Sequence, residues 1–215
     1  NSFYDLCFPD CNNNGIDDEC DLATETSADC NFNGVPDECD IASGEVDCDT
    51  DGVPDTCQIS DDPGADQNNN GLLDECECFN SNYCFSEFNS TGLRGNISLS
   101  GSAQIGSNNL ILVASEVPAG QFGIFYYGTG QVGDPDYGVP FGNGRRCVGG
   151  QTVRLSVVTT EASGSVEQDI DNTQSPHSQN FLPGNTRYFQ FWFRDPPAGG
   201  ANYNLTDALS ITFCP

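Results

Sequence analysis

Four stretches of this chain repeat one pattern of oxygen-bearing side chains. They read DCNNNGIDDECD (residues 10–21), DCNFNGVPDECD (29–40), DCDTDGVPDTCQ (47–58) and DQNNNGLLDECE (66–77). Position 1 is Asp10, Asp29, Asp47 and Asp66; position 3 is Asn12, Asn31, Asp49 and Asn68; position 5 is Asn14, Asn33, Asp51 and Asn70. Position 9 is Asp18, Asp37, Asp55 and Asp74, and position 12 is Asp21, Asp40, Gln58 and Glu77. Alternate side chains turned inward while a chain wraps one ion give this spacing, and twelve residues with Gly at the sixth is the calcium-loop plan. Gly15, Gly34, Gly52 and Gly71 supply the sharp turn, and the position-7 carbonyls of Ile16, Val35, Val53 and Leu72 add a backbone oxygen. Hard oxygens without histidine suit Ca²⁺ over transition metals, so about four Ca²⁺ are expected. Gln58 is the weakest terminal ligand, and the third loop compensates with three early aspartates.

The repeat recurs every 18 or 19 residues, and only six or seven residues separate successive loops, too few for the long flanking helices of paired EF-hands. The segment resembles thrombospondin type-3 repeats and related calcium repeats of secreted bacterial surface proteins. The resemblance covers residues 10–77, with cysteine at position 11 of every loop; the fourth departs from the other three at position 2, where Gln67 replaces cysteine. It implies an ion-threaded rod or wrap used for adhesion or spacing, with disulfides between cysteines near in sequence.

The elements that must position these loops come from a strongly acidic chain. It holds 32 Asp and Glu against six Arg and no Lys, a net charge of −26. Nucleic acid needs a basic surface and is excluded as a partner. No apolar run reaches the length of a membrane span, so the chain is not expected to span one. Residues 1–78 hold 22 of the acids and no Arg. Such a segment cannot collapse on apolar burial alone and needs cations.

Twelve cysteines indicate disulfides and an oxidising, extracellular or cell-surface location. The chain starts at Asn1 without Met, which reads as an exported protein whose signal peptide has been removed. Neighbour pairing (Cys7–Cys11, Cys20–Cys30, Cys39–Cys48, Cys57–Cys76, Cys78–Cys84, Cys147–Cys214) uses all twelve and is preferred. The alternative closes each loop on itself (Cys11–Cys20, Cys30–Cys39, Cys48–Cys57).

The expected fold is mostly β: a disulfide-rich calcium-loop segment over 1–78, a linker over 79–92, and an antiparallel β-sandwich over 93–215. Seven strands are expected, at 96–104, 109–115, 121–128, 151–160, 165–168, 186–194 and 208–213. The clearest is TRYFQFWFR, with Phe189, Phe191 and Phe193 on one face.

No catalytic constellation is legible. The single histidine, His177, lies in the loop SPHSQN and is expected at the surface, so the chain is not expected to be an enzyme. The leading reading is an extracellular, calcium-stabilised structural protein, a subunit of a self-assembling fibre or surface layer with head-to-tail contacts. The apolar cluster Asn1–Phe8 is expected to dock on its own sandwich or on a neighbour's, and Arg145 and Arg146 to meet a neighbour's acidic repeats. The alternative is a calcium-dependent carbohydrate-binding or adhesion module using Tyr126, Tyr127, Tyr137, Tyr188, Trp192 and Tyr203. Asn89, Asn96 and Asn204 head glycosylation sequons, so covalent glycans are further candidate partners.

Overall fold

A computed structural model describes residues 9–67 and 69–215. They fall into two compact units, one ending at Cys76 and the other running from Glu77 to Pro215. The apolar cluster expected to dock, Asn1–Phe8, lies outside the described residues, as do Cys7 and Asn68.

In the first unit, three short helices follow the first three loops: α1 (Asp18–Ala23), α2 (Asp37–Ser43) and α3 (Asp55–Asp61). Each starts at loop position 9 with acidic residues in its first turn, which complements the helix dipole. Pro36 and Pro54 precede α2 and α3 and fix their entry. Helices of six or seven residues do not hold themselves in water. Disulfides fasten α2 through Cys11–Cys39 and α3 through Cys30–Cys57, and Cys48–Cys76 ties the third loop to the fourth. Each joins position 2 of one loop to position 11 of the next, which corrects both expected pairings. The helical turn beginning at position 9 carries position 11 toward the preceding loop rather than back across its own. Cys39 and Cys57 are buried, and the one cysteine left unbridged among the described residues is Cys20, exposed on α1.

The second unit is antiparallel. Ten strands form it: β1 (Phe79–Tyr83), β2 (Asn96–Ser100), β3 (Ile111–Ser115), β4 (Phe122–Gln131), β5 (Val139–Phe141), β6 (Gly144–Arg146), β7 (Val148–Thr159), β8 (Val166–Asp169), β9 (Thr186–Arg194) and β10 (Tyr203–Thr212). One sheet runs β1-β10-β9-β4-β7, a second runs β2-β3-β8, and β5 and β6 form a hairpin. Both sheets feed one core: Phe125, Tyr127, Phe189, Phe191 and Leu209 come from the first, and Ile97, Leu112 and Val166 from the second. Phe181 stacks on Phe213 at 4.4 Å within the same cluster.

The stretch 79–92, expected as a linker, carries β1, whose Phe79 lies opposite Thr212 of β10. That pairing brings Cys78 to Cys214, and Cys84 bonds Cys147. The expected Cys78–Cys84 and Cys147–Cys214 pairs are corrected for the same reason. Sheet pairing, not sequence distance, decides which sulfurs meet.

Candidate metal centres and the outer sheet face

The four loops share one hydrogen-bond scaffold. The position-1 carboxylate accepts the N–H groups of positions 5 and 6. Asp10 takes Asn14 at 3.1 Å and Gly15 at 3.0 Å; Asp29 takes Asn33 and Gly34 at 3.1 and 2.9 Å. Asp47 takes Asp51 and Gly52 at 3.2 and 3.1 Å; Asp66 takes Asn70 and Gly71 at 3.1 and 2.8 Å. The turn is tight enough that Gly15, Gly34, Gly52 and Gly71 all take φ between +84° and +89°, where a Cβ is strained.

Position 9 closes the neck of each of the first three loops. The Asp18 N–H donates to the Pro9 carbonyl at 2.9 Å, and its Oδ1 accepts the Cys11 N–H at 2.9 Å. Asp37 does the same with Ala28 and Cys30, and Asp55 with Val46 and Cys48. In the fourth, Asp74 accepts the Gln67 N–H more loosely, at 3.3 and 3.4 Å. At this expected ligand position, one carboxylate oxygen in each of the first three loops is therefore committed to the backbone.

Positions 3, 5 and 12 gather. Asp21, 0% exposed, accepts the side-chain amides of Asn12 and Asn14 at 3.4 and 2.9 Å on one oxygen. Asp40 repeats this with Asn31 and Asn33 at 3.0 and 2.8 Å. The third loop inverts the polarity: the Gln58 amide donates to Asp49 at 3.2 Å and Asp51 at 3.1 Å. Carboxylate oxygens of Asp47, Asp49 and Asp51 lie within 4.8 Å of one another. Gln58 Oε1 and Asp55 Oδ2 are buried without a hydrogen-bond partner. Burial pushes the Asp55 carboxyl up, and the charges of Asp49, Asp47 and Asp51 push the same way against the Cys48 N–H.

The donor set selects among metals. The sulfurs beside Asp18, Asp37 and Asp55 are bonded to one another as Cys11–Cys39, Cys30–Cys57 and Cys48–Cys76, so they offer no thiolate. What remains is carboxylate, amide and carbonyl oxygen, the set that suits a hard cation. Glu38, at position 10 of the second loop and outside the expected ligand set, has a role that the sequence did not disclose. It accepts hydrogen bonds from Asn12 at 3.0 Å and Ser27 at 2.5 Å.

The second unit corrects several surface expectations. His177 is half-buried, its ring 5.4 Å from Phe181 and its Nδ1 3.2 Å from the Tyr127 hydroxyl. Burial holds its pKa below the ordinary value. Tyr127 belongs to the core, and Tyr188 packs edge-on against Tyr83. Arg145 is tied to Glu87 at 2.8 Å. Of the sequon asparagines, Asn204 is 0% exposed and donates to the Phe88 carbonyl, and Asn89 is buried and donates to the Glu116 carbonyl. Neither amide is accessible to a glycan in this fold; Asn96, half-buried at the start of β2, is the most open of the three.

Gln190 was also missed. It faces away from the core on β9 yet is 0% exposed. Its Nε2 donates to the carbonyls of Arg145 and Thr206, both at 2.8 Å, while Oε1 accepts the Tyr126 hydroxyl at 2.6 Å and the Cys147 N–H at 3.1 Å. It pins the β5–β6 hairpin onto the outer face of the five-stranded sheet. The signal available in sequence was a lone amide inside an aromatic strand.

No family model, curated protein or solved structure matches this chain. Among the described residues, no helix is long and apolar enough to cross a membrane.

Proposed function

We propose that this is an extracellular structural protein whose acidic repeats are held in shape by about four Ca²⁺, of the thrombospondin type-3-like kind, followed by a β-sandwich. The observation that carries the reading is the fourfold scaffold itself. Each position-1 aspartate is already bonded to the turn; in the first two loops the amides of positions 3 and 5 converge on the position-12 carboxylate, and in the third three carboxylates crowd beside unsatisfied oxygens of Asp55 and Gln58. A carboxylate buried among carboxylates is costly unless a cation offsets it. Four Ca²⁺ would bring +8 against the −22 of residues 1–78. The disulfide ladder supports an oxidising location.

Assembly into a fibre or surface layer is the fuller form of the proposal. It is supported by the apolar composition of Asn1–Phe8 in an otherwise polar half. Hydrogen exchange in chelator tests the calcium reading: protection is expected to fall in residues 9–76 while β9 and β10 stay protected. Unchanged protection in the loops would overturn it. Sedimentation in Ca²⁺ of the full chain against one lacking Asn1–Leu6 tests the assembly. A monomer in both cases, at every concentration, removes that part.

A further inference from the structure

The core of the second unit is filled by Phe189, Phe191 and Phe193 on the inner face of β9. The opposite face of the same sheet carries a second aromatic group that contributes nothing to that core. Trp192 lies 5.5 Å from Tyr203, and Tyr203 lies 5.5 Å from Phe141. These three rings join β9, β10 and the β5–β6 hairpin. The hairpin reaches Tyr203 because Gly142 has no side chain: a Cβ there would sit 2.1 Å from the ring. It leaves uncovered a cavity of about 410 Å³, within the usual size of small-ligand sites.

Two cations line this cavity. Arg146 stands 5.9 Å from the centre of the Phe141 ring, and Arg154 rises from β7 opposite Tyr126. Neither guanidinium makes a hydrogen bond or ion pair to a described residue. Nor does any carboxylate line the cavity, in a chain with 32 acids and six arginines. Three other arginines show the contrast: Arg145 holds Glu87, Arg94 donates to the Ser86 carbonyl while lying over Phe88, and Arg187 donates to the Thr186 carbonyl. Aromatic surface beside unpaired guanidinium is the chemistry that receives a pyranose ring carrying a carboxylate. The ring faces take the apolar C–H side of the sugar, and the planar guanidinium takes the carboxylate in bidentate fashion. The Thr152 hydroxyl adds a polar group to the wall. The net charge of −26 selects further, since a dense polyanion is repelled while a short, sparsely charged chain is not.

We propose that the cavity formed by Phe141, Trp192 and Tyr203 with Arg146 and Arg154 is a binding site for an acidic oligosaccharide, a uronate-bearing glycan. It lies wholly within the unit from Glu77 to Pro215, so its occupancy is independent of calcium in the loops.

Trp192 is the only tryptophan of the chain and reports on the site directly. The full-length protein is titrated with a glucuronate trisaccharide and with the matching neutral glucose trisaccharide, each in Ca²⁺ and in chelator. A saturable change in Trp192 emission is expected with the uronate in both conditions, with the neutral sugar at least about tenfold weaker. Arg146→Gln and Arg154→Gln are each expected to erase about tenfold of the uronate preference, with circular dichroism unchanged. Tyr203→Ala is expected to abolish binding of both sugars; should it fail to fold, the two arginine variants decide alone. Absence of a saturable signal overturns the proposal, as does equal binding of charged and neutral sugars or an arginine pair without effect. An emission shift that depends on protein concentration and blocks the sugar would overturn it in favour of a second copy of this chain as the occupant.

Discussion

The side-chain amide of Asn12 donates to Glu38 Oε1 across 3.0 Å, joining position 3 of the first loop to position 10 of the second. The Ser27 hydroxyl meets the same oxygen at 2.5 Å. Partial burial works to raise the Glu38 pKa, but these two hydrogen bonds outweigh it and hold the carboxyl below its ordinary value. A depressed folded value means stability that is present above pH 4.5 and is lost as the pH falls through the folded value. In a double-mutant cycle, Asn12→Ala and Glu38→Ala are expected to couple by about 0.5 kcal/mol, screened because the pair is exposed. The coupling is expected to vanish in acid; chemical denaturation at neutral and acid pH measures both.

Positions 1 and 9 are expected to separate by their response to calcium. Asp29→Ala removes the acceptor for Asn33 and Gly34 and a proposed calcium ligand, so the rise in melting temperature on adding Ca²⁺ is expected to shrink. Asp37→Ala leaves the Cys30 N–H without its acceptor and removes only the one carboxylate oxygen left for an ion, so it is expected to cost about 1–2 kcal/mol in chelator and to shrink the calcium response less than Asp29→Ala does. Melting curves of both variants in both conditions make the comparison. Identical behaviour of the two would show that position 9 is no clasp.

Phe32 occupies position 4 of the second loop at φ +56° and is 90% exposed. The equivalent residues Asn13 and Asn69 take the same φ with a side chain that tolerates it. Phe32→Asn is expected to stabilise the chain by about 0.5–1 kcal/mol without changing calcium binding. Denaturant midpoints with a calorimetric titration measure this, and a loss of stability would mean the exposed ring has a partner.

Asp207 accepts the Ile97 N–H at 2.7 Å and the Asn82 amide at 2.8 Å. Burial nonetheless raises its carboxyl from 3.8 to about 6. The folded chain then binds this proton more tightly than the unfolded one. The contribution is full below pH 3.8 and is lost as the pH rises through about 6. Its carboxyl carbon is expected to titrate near 6 by NMR. In chelator, Asp207→Asn is expected to flatten the stability profile between pH 4 and 6 by about 1 kcal/mol, since a carboxyl with solvent contact is screened.

The ladder pairing is read by mass spectrometry of a non-reduced digest, where Cys30 and Cys57 are expected in one linked pair of peptides. Replacing both with serine is expected to cost about 3 kcal/mol through the freed loop.

What the sequence discloses follows the range of the interactions involved. Alternation over Thr186–Arg194 and the loop spacing are local patterns, and strands β2, β3, β4, β7, β8, β9 and β10 all overlap expected segments. The β5–β6 hairpin escapes because Pro140, Gly142 and Gly144 interrupt any alternation. Strand β1 escapes because Phe79–Tyr83 has its partner in the last strand of the chain. The disulfides escape for the same reason, each linking residues that only a folded loop or sheet brings together. The outer aromatic face is legible as residue types, Trp192 and Tyr203 among them. Its cavity is not, because it depends on Gln190 holding the hairpin in place.

The overlapping bridges of the repeat unit also determine how it carries tension. From Cys11 the covalent route crosses to Cys39, returns to Cys30, crosses to Cys57, returns to Cys48 and crosses to Cys76. Pulled at its ends, this stretch goes taut over 18 residue steps instead of 65. With the three bridge spans of 5.7, 5.8 and 5.9 Å added, its limit of extension is about 80 Å where the unbridged chain would pay out about 220 Å. A single peptide cut anywhere between Cys11 and Cys76 leaves the two sides covalently joined, so the segment behaves under load as a short tether that one protease cannot sever with one cut.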